Sequence, residues 1–246
     1  MSSTPLGRLL VGTSGWSYPH WTGVVYPRGL PPAQRLASYA ERFATVEVNA
    51  TFYRTPSERA VDAWRDATPP GFVFAVKGSR LVTHVRRLRD VAEPVSGFLE
   101  RVARLGPKLE VVLWQLPPSL VRDDALLEAF LALLDCTPLR HAIEFRHESW
   151  LAEEVFSLLR RHDVAMVNVS SETLPARFVA TASFVYARFH GLPLYRGAYD
   201  ETALEPWGTY LARERESGRD CYVYFNNDAE GHAPRDALRL LRMLGG

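Results

Sequence analysis

The sequence predicts an α/β fold, a (β/α)8 TIM barrel built on a parallel eight-stranded closed sheet as a single domain over residues 1–246, and three observations carry that prediction. Eight short apolar runs recur along the chain, amphipathic helical patterns lie between them, and 246 residues, 47% of them hydrophobic, match the roughly 250 residues of one such barrel. Strands buried on both faces read as nearly continuous apolar runs. Alternation with helices then implies parallel strands joined by right-handed crossovers. An open doubly wound sheet would carry a Gly-x-Gly-x-x-Gly turn after its first strand, and none is present.

The runs are Leu9 to Gly12, Thr45 to Asn49, Phe72 to Lys77, Glu110 to Gln115, His141 to Arg146, Val164 to Asn168, Phe184 to Phe189 and Cys221 to Asn226. Helical spacing follows the first at Leu36, Ala40 and Phe43. Val95, Phe98, Leu99 and Val102 follow the third run, stopped by Gly106 and Pro107. Leu127, Phe130, Leu131 and Leu134 follow the fourth, opened by Asp123 or Asp124 as cap. Further patterns lie at Val155, Leu158 and Leu159, at Leu204, Trp207 and Leu211, and at Leu238, Leu240 and Leu241 with Pro234 near the first turn. On this reading strand and helix alternate eight times.

The formal charge of +1 lacks the excess that a protein living on nucleic-acid phosphates carries. Cys136 and Cys221 form no Cys-x-x-Cys pattern, and no apolar run near Met1 is long enough for a signal peptide or membrane span, so a reduced, cytoplasmic protein without a membrane partner is expected. Only Lys77 and Lys108 are lysines among 29 basic residues, which makes Lys77 informative.

Barrel chemistry comes from the carboxyl ends of the strands and the loops after them. With the apolar alternates turned toward the helices, Glu47 and Asn49, Lys77, Gln115, Glu144 and Arg146, Asn168, Arg188 and His190, and Asn226 point inward. Lys77, Arg146 and Arg188 against Glu47 and Glu144 leave one positive charge, which suits a small anion. The bland alternative is a salt-bridge layer closing the barrel. Asn226-Asn227-Asp228 occupies a place where barrels bind phosphate, against the alternative of a helix cap. Trp16, Tyr18, Trp21 and Tyr26, with Phe52 and Tyr53 after the second strand, offer rings that stack on a sugar or base, or merely pack their loops. His84, His147 and His190 with the two glutamates would be the ligands of a divalent metal, but their spacing fits no compact motif and no metal is predicted. Arg80, Arg86, Arg87 and Arg89 lie on one loop, where a phosphate backbone would touch. Ser14 is discounted as a nucleophile because Gly-x-Ser-x-Gly is absent.

Several stretches together resemble the YecE-like family, also called domain of unknown function seventy-two. They are Gly12 to Trp16 with Trp21, Gly23, Tyr26 and Pro27; Glu47 to Asn49 with Thr51 to Tyr53 and Pro56; Lys77 with Thr83 and His84; Gln115 to Pro118; Glu144 to His147 with Trp150; Arg188, His190 and Gly191; and Phe225 to Asn227 with Gly231 and Ala233. The resemblance covers nearly the whole chain. It implies a triosephosphate-isomerase-type barrel, distantly similar to metal-using sugar-isomerase and endonuclease barrels, with no established reaction. Asp236 stands where the resemblance expects asparagine, which puts one helix contact in question.

The expectation is an enzyme of isomerase, lyase or hydrolase type acting on a small anionic metabolite, sugar-like or phosphorylated. Glu144, His190, Lys77 and Glu47 are its candidate catalytic groups, and Arg146, Arg188, Asn49, Gln115, Asn168, Asn226, Asn227, Trp16, Tyr53, His84 and His147 its candidate binding groups. A paired-glutamate glycosidase is set aside because Glu47 and Glu144 lie on strands far apart around the ring. Two rivals stay open. One is a divalent-metal-dependent phosphodiesterase acting on nucleic acid through Glu47, Glu144, His147 and His190. The other is a non-catalytic barrel that binds an anion or scaffolds a partner.

Overall fold

The computed structural model describes residues 5–245. Its eight strands are β1 Leu9–Thr13, β2 Thr45–Val48, β3 Val73–Lys77, β4 Leu109–Gln115, β5 Arg140–Glu144, β6 Ala165–Ser170, β7 Phe184–Phe189 and β8 Asp220–Phe225. They form one parallel sheet in which β8 pairs with β1 and the sequence neighbours from β2 to β8 pair in turn. The helices are α1 Arg35–Ala40, the single turn α2 Ala50–Tyr53, α3 Glu58–Asp66, α4 Ala92–Val102, α5 Asp124–Leu134, α6 Glu153–Arg161, α7 Glu201–Glu216 and α8 His232–Met243. Every predicted apolar run is a strand. Asp123 is the cap of α5, accepting from the Leu126 N–H at 3.0 Å. No helix among the described residues is long and apolar enough to cross a membrane.

One connection departs from the expected eightfold alternation, and another keeps it with a helix that no apolar pattern marked. Between β2 and β3 the chain forms α3, capped by Ser57 and burying only Val61; one buried residue leaves little apolar periodicity to read. Between β6 and β7 no helix forms. The segment lays Phe178 edge-on against Trp207 and beside Tyr210 of α7, with ring centroids 4.9 and 5.2 Å away, so a loop covers β6 where a helix was expected.

The barrel interior is filled, not hollow. Leu10, Val73, Ala75, Val111, Leu113, Ala142, Val167, Phe184, Tyr186, Tyr222 and Tyr224 make an inner layer, separate from the larger core between sheet and helices. Tyrosine hydroxyls inside such a layer need partners. Tyr224 meets Thr45 Oγ1 at 2.7 Å, Tyr186 donates to Glu47 at 2.6 Å, and Tyr222 takes an Arg140 N–H at 2.5 Å. Below them the Arg8 guanidinium grips Glu110 at 2.7 and 2.9 Å and Asp220 at 2.8 and 3.2 Å, closing the amino-terminal end across β1, β4 and β8.

The ring closes imperfectly at one seam. β1 and β2 share no ladder. They meet through the single bridge Ser14 to Glu47, with the Gly15 N–H on the Glu47 carbonyl at 2.8 Å. Lower down, the Tyr39 hydroxyl of α1 sits between the strands, accepting from the Thr13 N–H at 2.9 Å and donating to the Thr45 carbonyl at 3.1 Å. Gly12 permits this approach, since a Cβ there would lie 2.3 Å from the Thr45 carbonyl oxygen.

Candidate functional site

The carboxyl ends of the strands deliver a chain of charged groups to the barrel mouth. Period-two alternation on β7 and just beyond it puts Tyr186, Arg188 and His190 on the inner face, and β2 and β5 bring Glu47 and Glu144 to meet them. Arg188, 1% exposed, lies between the two carboxylates. One terminal nitrogen donates to Glu47 Oε1 at 2.7 Å and the other to Glu144 Oε2 at 2.5 Å. The sequence reading placed these glutamates far apart. The barrel is narrow enough that strands distant in order reach one guanidinium, so that expectation is corrected. Glu47 is saturated all the same, accepting also from Ser14 Oγ and the Tyr186 hydroxyl, each at 2.6 Å.

Glu144 faces the mouth on its other oxygen. Arg146 Nε lies in ion-pair contact with Oε1 without hydrogen-bond alignment, and His190 Nε2 stands 3.2 Å from the same oxygen. Arg146 donates a terminal N–H toward His190 Nε2 at 2.9 Å, and the Asn226 amide is 3.2 Å from His190 Nδ1. Burial alone would raise the Glu144 carboxyl, but Arg146, Arg188 and His190 outweigh it and hold it well below the usual carboxylate range. For His190 burial dominates, and with Arg188 and Arg146 it overcomes the pull of Glu144, depressing the imidazole to about 4. A neutral imidazole is what the Arg146 N–H requires as acceptor.

Lys77 ends β3 at the same mouth, 8% exposed. Its carbonyl receives the Thr51 hydroxyl at 2.6 Å, and its Nζ stands 4.2 Å from the Phe52 ring centre. Burial, then Arg188 and Arg146, lower the amine to about 8 against the opposing attraction of Glu144 and Glu47. The four charges of Glu47, Glu144, Arg146 and Arg188 pair off, so the surplus positive charge is Lys77. Asn49, whose buried Oδ1 has no hydrogen-bond partner among the described residues, lines a cleft of about 210 Å³ beside Trp16 and Tyr18.

Other candidates fall outside this cluster. Asn168 is a correction: it points away from the mouth, its Oδ1 accepting the Val179 N–H at 3.0 Å and its Nδ2 donating to the Val179 carbonyl at 3.1 Å. The inner face of β6 is Ala165, Val167 and Val169. Asn227 also turns outward, donating to the Gly197 carbonyl at 2.9 Å and to Asp236 at 2.7 Å. Asp236 takes the Tyr199 N–H as well at 2.9 Å, so the helix contact in question is made with aspartate in place. Asp228 holds the first loop through Trp21 Nε1 at 2.5 Å and His20 at 3.0 Å. Gln115 ends β4 at the mouth, half-buried. Tyr53 is 75% exposed at the rim, and His84 packs edge-on against Phe52. His147 spends Nδ1 on Ser149, and among the described residues no three His, Cys, Asp or Glu side chains gather as a metal site. Arg87 is tied to Ser119 at 2.7 and 3.0 Å and Arg89 reaches Asp123 at 3.4 Å, so much of the basic loop is folded onto its neighbour. Sequence reasoning missed Ser14 and Tyr186 as partners of Glu47; two-residue spacing below Arg188 was the signal for Tyr186.

The sequence profile of the family described as Protein of unknown function DUF72 matches residues 10–246. The chain belongs to this family. UPF0759 protein YunF of Bacillus subtilis (strain 168) is 27% identical, over 96% of this chain and 94% of that one. UPF0759 protein YecE of Escherichia coli (strain K12) is 30% identical over 147 residues, 59% of this chain and 51% of that one. Among solved structures, a DUF72 family protein from Thermotoga maritima MSB8 superposes with a TM-score of 0.87 at 33% identity, covering 97% of this chain and 100% of that one. A D-psicose 3-epimerase from Clostridium cellulolyticum H10 matches with a TM-score of 0.59 at 12% identity, over 97% of this chain and 98% of that one; at that identity the likeness is one of barrel fold alone.

Proposed function

We propose that the mouth of this DUF72 barrel is the active site of an enzyme that works by acid–base chemistry on a small anionic metabolite, sugar-like or phosphorylated. The observation that carries the reading is the charge pattern: the four charges of Glu47, Glu144, Arg146 and Arg188 neutralise one another, and Lys77, without an ion-pair partner among the described residues, stays largely cationic beside them at pH 7. A surplus positive charge, partly desolvated at the end of β3, attracts an anion. His190 and Glu144 then supply the proton-handling pair. Arg146 and Arg188 hold Glu144 ionised, and once His190 Nε2 gives up the Arg146 N–H its lone pair can take up a proton from substrate while that carboxylate stabilises the resulting imidazolium. Distant likeness to sugar epimerases supports the substrate class only as an analogy of fold.

The test is a thermal-shift panel of sugar phosphates, hydroxy acids and keto acids on the purified chain. At least one anion should raise the melting temperature saturably, and Lys77→Met should weaken its binding by roughly tenfold or more, the scale of a lost charged contact. A panel without a saturable shift, or a shift indifferent to Lys77→Met, would sink the reading.

A further inference from the structure

The two lysines of this chain have opposite circumstances. Lys108 has its three N–H groups committed, to the Arg65 and Thr68 carbonyls at 2.6 Å each and to Thr68 Oγ1 at 3.0 Å. Lys77 is more deeply buried, yet among the described residues its Nζ has neither a hydrogen bond nor an ion pair and stands over the Phe52 ring. A ring face compensates only part of the hydration that an ammonium gives up on burial. The strand end presenting it is rigid. Thr51 holds the Lys77 carbonyl, the Gly78 N–H donates to the Leu113 carbonyl at 2.7 Å, and Gly78 packs so tightly on Trp114 that a Cβ would lie 2.2 Å from the indole.

Resting on the active-site reading above, we infer that Lys77 is a covalent nucleophile, its amine forming an imine with the aldehyde or ketone carbon of a small anionic substrate. The ammonium form attracts the anion and the neutral form reacts. The Nζ lone pair bonds to the carbonyl carbon while the C=O π pair moves to oxygen, which takes up a proton as the nitrogen loses one. The carbinolamine oxygen, protonated again, leaves as water, and the nitrogen lone pair closes the C=N bond of an iminium. No oxidant or reductant enters, and water returns the amine and carbonyl by the reverse path. The iminium is the electron sink for loss of a proton from the adjacent carbon. The charged groups acting on the amine are Arg188 on β7, Glu144 and Arg146 at β5 and Glu47 on β2, with His84 on the loop after β3. At about 8 the amine is roughly one-tenth neutral at pH 7, against about one part in three thousand for an ordinary lysine.

The test uses the full chain with pyridoxal 5′-phosphate, an aldehyde bearing a phosphate, trapped by borohydride and located by peptide mapping. Lys108 in the same molecule is the internal standard, so no variant has to fold. Labelling of Lys77 at pH 7 should outrun Lys108 by at least ~10-fold, with a pH–rate midpoint near 8 rather than the ordinary lysine value. Equal labelling, or a midpoint near the ordinary value, overturns the inference. If Lys77 is inert while an anion from the thermal-shift panel still binds, the nucleophile falls and the active-site reading stands; if neither occurs, both fall.

Discussion

Arg188 is where the residue scale matters most. A guanidinium 1% exposed is held by two carboxylates that would otherwise face each other across the barrel axis. Its desolvation cost is offset only because both terminal nitrogens are paired, and Glu144 and Glu47 hold the guanidinium protonated against burial. Removing one member of such a network costs more than the network contributes. Arg188→Met should therefore lose about 3–5 kcal/mol in urea unfolding, because it leaves Glu47 and Glu144 buried without their shared counter-charge. A loss under about 1 kcal/mol would show that the carboxylates reorganise or take up protons cheaply. Glu47, Lys77, Glu144, Arg188 and His190 were legible in the sequence because a polar residue on an otherwise apolar strand near its carboxyl end has few places to go but the barrel mouth. Asn168 broke that rule for a physical reason. The loop outside β6 presents an unpaired Val179 N–H and carbonyl, and an amide side chain on the outer face satisfies both.

At the scale of elements, strands were legible and connections less so. Burial on both faces makes each strand a continuous apolar run, whereas α3 buries one residue and the β6–β7 loop buries Leu174 but leaves Phe178 39% exposed, with no helical period to read. The seam between β1 and β2 was invisible in the sequence, since a missing ladder leaves no mark on either strand. Tyr39 is the element that bridges it. Its hydroxyl joins a backbone donor of β1 to a backbone acceptor of β2, and with the ring fully buried water has no route to replace it. Tyr39→Phe should cost about 1–3 kcal/mol and speed hydrogen exchange at the Thr13 amide, while amides of the β7–β8 ladder keep their relative protection. Unchanged protection at Thr13 would mean that the strands close into a direct ladder once the hydroxyl is gone.

For the whole molecule, buried groups at the mouth together with others at the amino-terminal ends of the strands set how stability depends on pH. His190, His141 and His84 are each depressed to about 4, burial being the leading cause in all three. The unfolded chain binds their protons first, near the ordinary histidine value of about 6.5, so their contribution is complete above that pH and is lost as pH falls from there toward 4. His190 and His141 are almost fully buried; His84 is half-exposed and counts for less. Two fully coupled protons give a slope of about 2–3 kcal/mol per pH unit at its steepest. Below about 4 Glu144 and Asp220, both depressed, extend the loss as the unfolded carboxylates take up protons first. On the alkaline side Lys77 acts in the opposite direction. With its amine at about 8 in the fold and near the ordinary value when unfolded, the charged, buried form weakens the fold below about 8, and that strain is relieved as pH rises. Above about 10 ionising tyrosines of the unfolded chain oppose the gain, because Tyr186 and Tyr224 are held protonated well above their usual range. The Cys221 thiol, pushed up to about 12 by burial, also opposes it from about 8.5 upward, because the unfolded thiol ionises first. The Lys77 contribution is therefore read as the difference in urea-unfolding stability between the wild-type chain and Lys77→Met, which should shift in favour of the wild type from pH 8 to 10 while the acid limb stays the same, and His190→Asn should lower the acid slope by about 1 kcal/mol per pH unit. A wild-type to Lys77→Met difference that stays constant from pH 8 to 10 would mean the amine is not the depressed group, and with it would go the reactive fraction on which the nucleophile depends.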